Sequence, residues 1–175
     1  MDKTLVIFYS YTGTSKRLAQ LLGAQLGWQL GEVVEVRSRG GMVGMLRCMA
    51  DSLLRRRPRI RYEGPNTKNF ESVVLISPIW FYRLSGPMRS FVADRGADLR
   101  AVAVVSVMGA KGGSNAAAEI ARLMGRDPLM AASFSAREVE DGSCASRLQA
   151  IGQTVEAAGR EEEPLRAATL SPPAV

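Results

Sequence analysis

Two hydrophobic periods alternate along this chain. Leu5-Val6-Ile7-Phe8-Tyr9 is an unbroken apolar run of β-branched and aromatic side chains, which predicts a strand buried on both faces. Leu18, Ala19, Leu21, Leu22 and Leu26 then recur at helical spacing, with the helix ending near Gly27. Gly31 to Arg37 alternates like a second, more exposed strand and is broken at Gly40-Gly41. Met42, Val43, Met45, Leu46, Met49, Leu53 and Leu54 form an apolar stripe at helical spacing. It is expected to bury against the sheet, with a membrane- or partner-binding helix as the other reading. Pro58 to Asn69 reads as a loop.

Phe70 to Ser77 predicts a third strand, apolar enough to be central, and Pro87 suits the first turn of a helix running to about Arg95. Ala101 to Val107 is a fourth buried strand, followed by a helix from Asn115 to Met124. Leu129 to Phe134 makes a weaker fifth strand, and Cys144 to Ala158 a last helix with Leu148, Ile151 and Val155 facing inward. Strands alternating with helices imply one α/β domain, residues 1–159, whose parallel sheet is covered on both faces. Residues 160–175, with Glu161-Glu162-Glu163-Pro164 and Ser171-Pro172-Pro173, are expected to form a flexible C-terminal tail.

The first switch from strand to helix passes through Ser10-Tyr11-Thr12-Gly13-Thr14-Ser15. Such a turn points backbone N–H groups, hydroxyls and the positive end of a helix dipole at one spot, which suits a phosphate. An ordinary helix cap needs one hydroxyl, and this turn has more. Neither G-x-x-x-x-G-K-[ST] nor G-x-G-x-x-G opens this helix, which argues against a nucleoside triphosphate or a classical dinucleotide at this turn.

The turn resembles the FMN phosphate loop of the flavodoxin family, with its Ser/Thr-x-Thr-Gly-x-Thr/Ser pattern directly after the first strand. A second stretch, Ser77-Pro78-Ile79-Trp80 followed by Gly86-Pro87-Met88-Arg89-Ser90-Phe91, is similar to a loop of flavodoxin-like reductases. The resemblance implies a doubly wound five-stranded parallel sheet of order 2-1-3-4-5, with the cofactor at the carboxyl ends of the strands. It implies FMN held through its phosphate by Ser10, Thr12, Gly13, Thr14 and Ser15. Its ring would be framed by Pro78, Ile79, Trp80 and Phe81 and by Gly109, Gly112 and Gly113 of the glycine-rich third loop, with Trp80 as an aromatic plate.

Composition narrows the chemistry. The chain has no histidine, so imidazole is removed as general base, triad member or metal ligand, and a bound cofactor becomes the natural agent. Cys48 and Cys144 form no C-x-x-C arrangement, so no metal site or disulfide framework is indicated. Met1-Asp2-Lys3 leads directly into the first strand, no apolar run reaches membrane-spanning length, and a cytoplasmic protein is expected. The net charge of +6 is concentrated in Arg55-Arg56-Arg57-Pro58-Arg59-Ile60-Arg61. That cluster reads as a solvated basic face or a site for an anionic partner; no nucleic-acid module accompanies it.

Charge and aromatics also set this chain apart from the electron-carrying flavodoxins it resembles. No acidic residue lies between Ser77 and Ser90 or between Val105 and Ser114, whereas Arg83, Arg89 and Lys111 do. The third loop lacks an aromatic to sandwich the ring, which leaves one ring face open to a second substrate or to a homodimer partner. The expectation is an NAD(P)H-dependent reductase of quinones or similar acceptors. A non-enzymatic electron carrier serving a redox partner protein, or a flavin-free phosphate-binding or regulatory domain, are the alternatives.

Overall fold

The structure is a computed structural model describing residues 2–36, 41–108 and 113–170, apart from the side chains of residues 2–3, 41 and 159–170. Its centre is strand β1 (Asp2–Phe8), which pairs in parallel with β2 (Gln29–Glu35) on one side and β4 (Phe70–Trp80) on the other. Next to β4 runs β6 (Ala101–Met108), and next to β6 the strand β7 (Met130–Ser135), both parallel. The five expected strands therefore lie in the expected order 2-1-3-4-5.

The period of two in these strands separates two cores. Leu5, Ile7, Leu75 and Val104 pack on one face with Met88 and Phe91 of α3 (Gly86–Arg95) and Ile120 of α4 (Gly113–Met124). Val6, Phe8, Ile76 and Val105 pack on the other with Leu18 and Leu22 of α1 (Thr14–Leu26) and Leu148, Ile151 and Val155 of α6 (Ala145–Leu170). Continuous apolar runs occur where both faces of a strand are covered in this way.

Four elements differ from the sequence expectation. Pro58 to Asn69 is not all loop: β3 (Ile60–Glu63) adds an antiparallel edge to β2. A two-residue strand, β5 (Arg83–Leu84), folds back antiparallel on the end of β4. A short helix, α5 (Ala136–Asp141), precedes α6, its start fixed by a capping box in which Ser135 and Glu138 bond each other's backbone N–H. The last helix runs on past Ala158 to Leu170. The broken glycine pair is only half described, Gly40 lying outside the described residues together with Arg37 and Ser171-Pro172-Pro173.

The helix α2 (Gly41–Leu53) corrects a further expectation. Its apolar stripe does not bury against the sheet: Met42 is 76% and Val43 79% exposed, and Leu46, Leu53 and Leu54 are exposed too. The residues it turns inward are Gly44, Cys48, Asp51 and Ser52. The reason is what lies beneath it. The inner face meets the Tyr9 hydroxyl, which is 3.8 Å from Cys48 Sγ, and the Arg89 guanidinium, which takes the carbonyls of Asp51 and Ser52. A polar interior selects the polar side of the helix. Among the described residues no helix is long and apolar enough to cross a membrane.

Candidate functional site

The carboxyl edge of the sheet brings two of the three loops together. After β1, residues Ser10 to Gly13 turn the chain into α1, and Gly13 has φ +94°, a left-handed conformation in which a side chain would be strained although nothing would obstruct it. The Ser10 hydroxyl accepts the Gly13 N–H at 3.1 Å, and the hydroxyls of Thr12 and Thr14 lie 3.4 Å apart. Gly13 is the N-cap of α1 and makes no side-chain cap bond, so the first N–H groups of the helix have no side-chain acceptor there. Ser15 is buried; Thr12 and Gly13 are exposed.

Trp80, at the end of β4, faces this turn. Its ring meets that of Tyr11 edge to face at 6.2 Å between centroids. The indole Nε1 is buried and has no hydrogen-bond partner among the described residues, an orphan donor beside the turn. Tyr11 fills the variable position of the loop pattern, where its aromatic character is the one signal in the sequence of a place at the site. Pro78 and Ile79 are half-buried, and Phe81 projects 52% exposed from the tip of the β4–β5 turn.

The third loop is only partly described: Gly109, Gly112 and Lys111 lie outside the described residues. Gly113 opens α4 and is buried, and a Cβ there would collide with the Ser133 hydroxyl. Close helix-to-strand packing accounts for this glycine without a ligand.

Arg89 is a correction. Read as one of the positive groups around the site, it is instead 2% exposed under the second loop. Its Nε bonds Glu119 Oε1 at 2.5 Å, Nη1 bonds the carbonyls of Asp51 and Arg56, and Nη2 those of Ser52 and Leu84. The planar fork thus locks the end of α2 to the start of α3 and to β5. Close by, Tyr9 donates to Glu35 Oε1 at 2.7 Å, and burial, reinforced by that carboxylate, pushes its phenol well above the ordinary range. No group of three or more Cys, Asp or Glu side chains that could hold a metal ion occurs among the described residues.

Solved structures share this architecture. A flavoprotein from Lactobacillus acidophilus NCFM, in complex with FMN, matches with TM-score 0.66 at 17% identity, over 82% of this chain and 99% of its own. The flavodoxin, WrbA-like protein from Agrobacterium tumefaciens matches at 0.52 and 15% identity, over 92% and 99%. The fold is flavodoxin-like. Fusobacterium nucleatum flavodoxin bound to flavin mononucleotide is a further neighbour, with TM-score 0.51 at 10% identity over 91% of this chain and 98% of its own. No protein-family model matches the chain, and no curated protein matches it significantly in sequence. Within the flavodoxin-like fold, the β1–α1 turn and the end of β4 occupy the carboxyl edge at the point where strand order reverses, the crevice in which open α/β sheets take their ligands.

Proposed function

We propose that this chain binds FMN and acts in electron transfer, as an NAD(P)H-dependent reductase of quinones or similar acceptors. The observation that carries the reading is the start of α1, free of any side-chain cap and surrounded by hydroxyls. A phosphomonoester satisfies that geometry because it is doubly charged, presents several acceptor oxygens and gains from the helix dipole. Two of the structural neighbours named above carry FMN, which supports the same ligand here.

The residues fit the group. Ser10, Thr12, Thr14 and Ser15 supply hydroxyls, and Gly13 and the residues after it supply N–H donors. Ser10 accepts the Gly13 N–H and still has its own proton to donate outward. Pro78, Ile79, Trp80 and Phe81, with Gly109, Gly112 and Gly113, would frame the ring, and the orphan indole N–H offers a donor to an acceptor on the ligand. FMN held there by these residues would supply hydride and electron transfer between NAD(P)H and the acceptor. The chain's own part is to bind, orient and shield. Arg83, half-buried beside the site, attracts anionic donors, which favours a nucleotide over a basic protein partner.

The test is a spectrum followed by a titration. The purified protein is expected to be yellow and to release FMN on denaturation. The cofactor-free chain should take up FMN at micromolar levels and riboflavin, which lacks the phosphate, far more weakly. No uptake of FMN ends the proposal. Uptake without oxidation of NADH or NADPH in the presence of a soluble quinone reduces the reading to a carrier of electrons.

A further inference from the structure

A cavity of about 530 Å³ lies between the β4–β5 turn, the residue stretch that follows α2 and one face of α4. Apart from Phe81 it shares no residue with the set assigned to FMN. Three guanidiniums line it, those of Arg55, Arg83 and Arg122. None of the three makes a side-chain hydrogen bond or ion pair among the described residues. The one carboxylate on its wall, Glu119, is already held by buried Arg89. The cavity therefore carries positive charge that the described residues leave uncompensated.

Its walls are also where the backbone is strained. Among the described residues only three that are not glycine have positive φ: Arg55 at 52°, Phe81 at 48° and Tyr82 at 62°. All three line this cavity. Phe81 and Tyr82 are the two central residues of a type I′ turn between Trp80 and Arg83, where Asn-Gly is the usual choice. Arg55 closes α2 in a Schellman motif, its N–H on the Ser52 carbonyl and that of Arg56 on Asp51, where glycine is the usual choice. Large side chains stand at three positions that local chemistry reserves for small ones, and they converge on one space. Strained residues of this kind cluster at active sites and ligand clamps, and here three of them line one cavity.

Phe81 and Tyr82 are 52% and 55% exposed, so their ring faces are available for stacking. Guanidiniums bind carboxylates and phosphates through paired N–H donors, and three guanidiniums around one space suit a group with more acceptor oxygens and more negative charge than one carboxylate carries, as phosphate groups have. The volume lies within the range of small-ligand pockets and suits a mononucleotide. We propose that this cavity binds an aromatic phosphate of mononucleotide size, its ring on Phe81 and Tyr82 and its phosphate groups among Arg55, Arg83 and Arg122.

Adenosine 2′,5′-bisphosphate serves as the probe, with adenosine and inorganic phosphate as its two component parts, measured by equilibrium dialysis against protein saturated with FMN. The expected result is saturable micromolar binding at low salt, with each part at least about tenfold weaker. Arg122→Gln, on the exposed face of α4, should weaken the probe about tenfold and leave FMN content unchanged. Tyr82→Gly should also weaken it while raising the melting temperature, since glycine relieves the left-handed turn. Absence of saturable binding, release of FMN by the probe, equal binding of inorganic phosphate, or full affinity in both variants overturns the proposal. Protein that purifies without flavin is tested in the same way, so failure at this cavity and failure at the FMN site are read separately.

Discussion

The two turns at the carboxyl edge of the sheet follow opposite rules. Between β1 and α1, the left-handed position is filled by glycine, and α1 ends on another left-handed glycine, Gly27 at φ +70°. Where α2 ends and where β4 folds back on β5, the left-handed positions are filled by Arg55, Phe81 and Tyr82. Each such residue costs on the order of 1–2 kcal/mol relative to its relaxed backbone. The first turn is held by its own local chemistry. The second needs support from elsewhere, and Arg89 provides it by binding the carbonyl of Leu84 just past the turn and those of Asp51, Ser52 and Arg56 around the end of α2.

The largest effect should come from removing that support. Arg89→Met leaves Glu119 as a lone buried carboxylate and strips several carbonyls of their donor, which costs about 3–5 kcal/mol. In a chain of this size that lowers the melting temperature by roughly 6–20 °C. Adding Glu119→Leu removes the unpaired charge and should recover a large part of the loss. If Arg89→Met melts with the parent protein, the second turn stands unaided and the contrast between the regions disappears.

Next in size is Gly13→Ala. A Cβ there meets nothing within contact distance, so the penalty is purely conformational, about 1–2 kcal/mol. Because the same backbone shapes the turn proposed to hold the phosphate, FMN uptake should weaken about tenfold, measured by quenching of flavin fluorescence. The converse change, Arg55→Gly, relaxes the end of α2 and should stabilise the protein by up to about 1 kcal/mol, read as a higher urea midpoint. One variant damages the region that obeys the local rule; the other improves the region that breaks it.

This contrast also explains what could be read in advance. The five parallel strands were legible because continuous apolar runs and βαβ alternation follow from covering both faces of a sheet, whereas their order came from the resemblance of the loops to the flavodoxin family. The hydroxyl-rich turn between β1 and α1 was legible because its chemistry is local. The edge strand β3 was not: Ile60-Arg61-Tyr62-Glu63 is short, charged and framed by Pro58 and Gly64-Pro65, the very features that protect an edge from pairing. The stripe on α2 was visible, but a period of 3.6 gives a face and not its direction, which here is decided by the polar groups of Arg89 and Tyr9 below it. The arginine-lined cavity escaped because Arg55, Tyr82 and Arg122 are distant in sequence. What unites the first two is a backbone angle that composition does not encode.

The smallest effect separates the two regions by pH. Tyr62 on β3 lies in the part of the molecule where glycines make room as needed: a Cβ at Gly31 or Gly64 would run into its ring. Its hydroxyl donates to the Pro65 carbonyl at 2.9 Å, and burial raises its pKa to about 12, against a smaller opposing pull from the Arg95 guanidinium. The folded state therefore prefers the neutral phenol more than the unfolded chain does. That preference contributes stability below pH 10 and is lost as pH rises from 10 through about 12. Tyr9 shifts in the same direction, so both phenols penalise alkali together. Urea midpoints taken at pH 9, 10 and 11 should fall, and fall less in Tyr62→Phe, which has no proton to lose. The guanidiniums around the cavity stay charged throughout, so in Tyr82→Phe, which removes the phenol from the cavity wall, binding of the bisphosphate should not weaken until the fold itself does; a loss of binding that precedes the fall in midpoint would show that the guanidiniums do not carry it and erase the separation.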